Sequence, residues 1–184
     1  MRTVCLLVWL LLSFAVSAGE INVQEIKQQW QPTQLRINPQ YQITSSEVID
    51  EAIDKGIVLT LIAKVSVHKN RDFWFDETIE KQHHVYEVRY FSLSGQYQFH
   101  DIQNNERNSF ISLEDLWQYL SSSSHFDIPL EQAQHADYLA LRLSLDTGAL
   151  PSAMQLPVLL SSDWRFKSDW FEADISPAEF RLTP

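Results

Sequence analysis

The chain has 184 residues with 24 acidic side chains against 14 basic ones, a net charge of −10, and is long enough to bury one full apolar core. That balance disfavours nucleic acid and anionic membrane surfaces as partners, because both are met by a basic face. Four glycines, Gly19, Gly56, Gly95 and Gly148, are too few and too scattered for a phosphate-cradling or dinucleotide-binding loop.

Arg2 precedes an apolar run from Val4 to Val16, and Val16-Ser17-Ala18 offers the small residues of a signal-peptidase site. Thirteen apolar residues fall short of the ~20 that a membrane-spanning helix needs. Residues 1–18 are therefore read as a signal peptide and residues 19–184 as a single β-rich domain, exported to the periplasm and soluble after cleavage. The only cysteine, Cys5, lies in the leader and has no lipoprotein box before it, so the mature chain has no disulfide. No second long apolar stretch follows, so no transmembrane segment is expected in the mature chain.

Leu35, Ile37, Tyr41 and Ile43 alternate with polar residues and predict a strand with one wet face, Pro39 marking an edge or bulge. Thr44-Ser45-Ser46-Glu47 has capping-box spacing, and Val48, Ile49, Ala52 and Ile53 form a helical stripe that Gly56 stops. Ile57, Leu59, Leu61, Ala63, Val65 and Val67 repeat with period two, with Val58 and Ile62 on the other face, as in a central strand. Its partner is predicted over Ile79 to Leu93, and Ser94-Gly95 turns into a strand carrying Tyr97 and Phe99.

Ser112-Leu113-Glu114-Asp115 opens a second helix with Leu113, Leu116, Trp117 and Leu120 on one face, and the Ser121–Ser124 run ends it in a flexible loop. A polar break precedes Leu139, Leu141, Leu143 and Leu145, a half-buried antiparallel strand. Thr147-Gly148 turns the chain, Pro151 and Pro157 keep the next stretch irregular, and a last strand covers Trp170 to Ile175. Strands joined by short turns around two helices predict an α+β, β-rich fold, an antiparallel sheet or β-sandwich with two short helices.

Several segments carry a resemblance. Glu51-Ala52-Ile53-Asp54-Lys55-Gly56-Ile57, Phe73-Trp74-Phe75-Asp76-Glu77, Phe110 to Leu116, Leu143-Ser144-Leu145-Asp146 through Leu150-Pro151, and Asp163-Trp164 to Ser168-Asp169-Trp170 follow in the order and spacing of the DUF4390 family. The chain thus resembles a family of uncharacterised exported proteobacterial proteins over nearly its whole mature length. Genes of that family often lie near one for a membrane sensor histidine kinase, so the resemblance implies an envelope-signalling setting. It carries over no catalytic residue.

Among candidate sites, Phe73, Trp74 and Phe75 sit between Arg71-Asp72 and Asp76-Glu77 near the junction of two long strands. On a loop they would anchor a protein partner, since aromatics bring large contact area at low rotamer cost. The burial tendency of aromatics favours the alternative, in which the strands continue and the rings are core. Trp164 and Trp170, each behind an Asp, are candidates for stacking on a ligand, with core packing the competing reading.

No two of the six histidines have the i, i+4 spacing of a helical zinc site, and adjacent His83 and His84 point to opposite faces of a strand. No metal or cofactor is expected, and no catalytic residue is assigned: there is no G-x-S-x-G elbow and no thiol in the mature chain. The expectation is a non-enzymatic periplasmic binding or accessory module contacting an envelope protein through a sheet edge or the aromatic segment. The alternatives are an envelope hydrolase with His83 or His84 as base, and a small-ligand-sensing domain with an apolar cavity between sheet and helices.

Overall fold

The computed structural model describes residues 19–73 and 75–176. The leader assigned to residues 1–18, and Trp74, lie outside the described residues. Two antiparallel sheets carry the fold. Strands β1 (Glu20–Trp30), β2 (Gln34–Thr44) and β7 (Phe126–Pro129) form a three-stranded sheet in the order β1-β2-β7. The larger sheet has the order β6-β5-β4-β3-β8-β9, from β3 (Leu59–Lys69), β4 (Glu77–Phe91), β5 (Gln96–Asp101), β6 (Glu106–Phe110), β8 (Tyr138–Leu145) and β9 (Phe171–Asp174). Helices α1 (Glu47–Asp54), α2 (Leu113–Ser123), α3 (Leu130–Ala133) and α4 (Ser152–Leu160), with 3-10 turns at Thr147–Ala149 and Ser162–Trp164, complete the described elements. The molecule is α+β and β-rich.

The inner faces of both sheets share one core with α1 and α2. Leu59, Leu61, Ala63, Val65 and Val67 of β3 meet Leu139, Leu141 and Leu143 of β8 at its centre, all essentially inaccessible. Period two alone dictates this: alternate side chains leave a strand on the same face. The small sheet contributes Ile21, Leu35, Ile37, Phe126 and Ile128, α1 contributes Ile49, Ala52 and Ile53, and α2 contributes Leu116, Trp117 and Leu120. Across the two sheets the ring of His84 lies 4.5 Å from that of Phe126, and the Tyr86 and Ser124 hydroxyls pair at 2.9 Å. Arg36 on β2 and Asp127 on β7 form a two-pronged ion pair, both contacts 2.8 Å, which holds the Asp127 carboxyl below its usual range.

Several expectations are corrected. Pro39 lies inside β2, opposite Ile26, but β7 pairs only as far as Ile37, so at Pro39 β2 has one bare side. Just beyond, Ser121 of α2 takes over as ladder partner, accepting from Tyr41 N at 2.9 Å and donating to Tyr41 O at 2.7 Å. The α1 cap is Ser46 rather than Thr44, with Oγ accepting from Ile49 N and donating to Asp163 O at 2.9 Å. Gly56, at φ +83°, ends α1 as expected. The Ser121–Ser124 run is not a loop: α2 continues to Ser123, and the Ser122 and Ser123 hydroxyls bond back to Tyr119 O. Residues 152–160 are helical despite Pro157.

Candidate functional site

The β3–β4 connection, residues 70–76, is an aromatic tip braced at its base. Asn70 N donates to Asp137 Oδ2 at 2.8 Å, Arg71 N to Asp76 Oδ1 at 3.3 Å, and the Tyr138 hydroxyl to Asp76 Oδ2 at 2.9 Å. The Arg71 guanidinium pairs with the Glu77 carboxylate. Above this polar collar the Phe73 ring is 97% exposed and the Phe75 ring 88%. The expectation that these rings are core is therefore overturned for Phe73 and Phe75. Strand β3 ends at Lys69 and β4 begins at Glu77, and the described residues between them, Phe73 and Phe75 included, belong to neither strand.

The outer face of the large sheet holds a second feature, a groove of about 570 Å³. Its cause is side-chain length along cross-strand rows. Lys81, Ser66, Ala140 and Glu172 lie opposite one another on β4, β3, β8 and β9. The two middle members are short, while both neighbouring rows are long. On one side His68 and Tyr138 stack with ring centroids 4.9 Å apart, and on the other stand His83, Lys64 and Arg142. Trp170, 49% exposed, closes the β9 end, and the Arg142 guanidinium carbon lies 5.8 Å from its ring centroid. The two tryptophans read alike in sequence thus part company: Trp164 is 9% exposed and belongs to the core, whereas Trp170 faces the groove.

His83 points outward and His84 inward, as neighbours on a strand must. Burial against Phe126 lowers the His84 pKa, and its Nδ1 has no partner among the described residues. Neither histidine meets a hydroxyl among the described residues. The histidine that does is His68: its Nε2 lies 2.8 Å from Ser66 Oγ, two residues back on the same strand face, and its Nδ1 3.3 Å from Thr78 Oγ1. A carboxylate is missing from that arrangement, so nothing there stabilises an imidazolium. His100 does meet a carboxylate, Glu87 at 3.3 Å, and pairs with no hydroxyl among the described residues. Among the described residues no three His, Cys, Asp or Glu side chains converge as metal ligands, and no helix is long and apolar enough to cross a membrane.

Sequence reasoning missed the groove as a whole, since Ser66, Ala140 and Lys81 become neighbours only through strand register. The fold and these two surfaces define a β-rich α+β domain with an aromatic tip and an open outer sheet face. The chain belongs to the family described as a domain of unknown function, DUF4390, whose model matches residues 18–174. No curated protein and no solved structure matches it.

Proposed function

We propose that this chain is a non-enzymatic, exported binding module of the cell envelope that holds a partner protein through the β3–β4 tip. The observation that carries the reading is the pair of phenylalanines standing in solvent on a turn whose base is fixed by four polar contacts. Exposed rings on a pre-ordered support lose little further freedom on docking, which is the property of an interface anchor. Export rests on the leader read in residues 1–18 and is checked by recovering the protein in the periplasmic fraction with a mass that begins near Gly19.

The test of the binding role is in-cell crosslinking of the tagged protein followed by mass spectrometry, comparing wild type with the Phe73→Glu/Phe75→Glu variant. Recovery of one envelope protein by wild type alone, with both proteins equally folded, supports the module. Equal recovery, or none, defeats it. An envelope hydrolase is the second reading, favoured by the Ser66–His68 contact inside the groove. It is the weaker one, because Thr78 stands where a triad needs a carboxylate and the strand N–H groups that would steady an oxyanion already serve the sheet ladder.

A further inference from the structure

The outer-face groove carries two lysines, Lys64 and Lys81, among its lining residues. Among the described residues neither of them forms an ion pair. In a chain with net charge −10, a groove lined by two lysines and a single carboxylate, Glu172, is locally cationic.

We propose that this groove binds a short acidic peptide segment of a partner protein, one with carboxylates flanking an apolar side chain. The dimensions match. Crossing from β4 to β9 spans three strand spacings, about 14 Å, which is roughly the reach of four extended residues. The hollow above Ser66 and Ala140 takes the apolar side chain, walled by the stacked His68 and Tyr138 rings and by Trp170. Lys64 on the other wall and Lys81 at the β4 end of the floor row face the carboxylates. Glu172 closes the far end and, with Asp174 one row on, repels a uniformly anionic polymer such as a nucleic acid or a polyphosphate. A flat lipid surface does not reach the floor of a groove walled by rows of long side chains. The assignment is independent of the tip, although Tyr138 touches both surfaces through its bond to Asp76.

The probe is a terminally blocked Glu-Phe-Glu-Leu-Glu peptide titrated into the isotope-labelled protein and followed by amide and indole NMR shifts, with blocked Lys-Phe-Lys-Leu-Lys as the charge-reversed control. Shifts clustered at Ser66, Ala140 and the Trp170 indole are expected for the acidic peptide alone. Lys64→Glu/Lys81→Glu, two exposed positions, weakens binding at least about tenfold, the scale of one lost charge-assisted hydrogen bond. Trp170→Ala weakens it while leaving the core shifts in place. The proposal is overturned by absence of shifts, by equal binding of the lysine peptide, or by unchanged affinity in the lysine variant. Sedimentation with phosphatidylglycerol vesicles in place of peptide binding overturns it as well, and reassigns the groove to lipid headgroups.

Discussion

Phe73 and Phe75 contribute almost nothing to folding, because rings that far into solvent have little apolar contact to lose. Replacing both by Glu is expected to move the urea-unfolding free energy by no more than about 0.5 kcal/mol, which is what makes the pair usable in a binding test. Tyr86 is the opposite case. Its hydroxyl meets Ser124 Oγ in the core, burial pushes its pKa far up, and Tyr86→Phe is expected to cost about 1–2 kcal/mol by leaving the Ser124 hydroxyl short of a partner. His84 supplies a pH dependence. Because burial disfavours its charged form, the folded protein resists protonation at this ring while the unfolded chain accepts a proton near the ordinary value of about 6.5. Stability attributable to His84 is therefore intact above that value and falls as pH drops below it. His84→Phe is expected to flatten the decline, as read from urea midpoints between about pH 7.5 and 5.

Among elements, α1 depends on a residue that does two jobs. Ser46 caps the helix by accepting from Ile49 N and ties it to the turn before Arg165 by donating to Asp163 O. Ser46→Ala is expected to lower the unfolding free energy by about 2 kcal/mol, more than an exposed cap loses, since the buried Ile49 N–H and the half-buried Asp163 carbonyl are both left unmatched. The elements that sequence reading found, β2, β3, β4, β5, β8, β9 and helices α1 and α2, carry an apolar period over most of their length. Strand β1 escaped because its register shifts between Val23 and Glu25: Ile21 and Val23 are odd-numbered, Ile26 and Trp30 even-numbered, and the bulge between them hides a strand from any search for strict alternation. Helix α4 escaped because Pro157 outweighed the inward pair of Met154 and Val158, four residues apart. Strand β6, Glu106–Phe110, is a short polar edge with no periodic signal to read.

At the scale of the molecule, the β-rich class was legible from short turns and alternation, and the central place of β3 from its two-sided apolar character. The candidate surfaces were less so. The aromatic tip was visible as a cluster but its exposure was not, because composition favours burying rings. The groove was invisible, since its rows join residues as distant in sequence as Ser66, Lys81, Ala140 and Glu172. The pairing of β2 with β7 has a consequence of a different kind. Leu35 sits opposite Ile128, and Gln28 reaches the carbonyl of Asp174, so the first hairpin cannot cover its apolar face until nearly the whole chain is present. Such distant closures favour refolding on a scale of roughly milliseconds to seconds rather than microseconds. A nascent β1–β2 hairpin is thus left waiting with Leu35 and Ile37 uncovered, the kind of surface that chaperones grip during synthesis or transport.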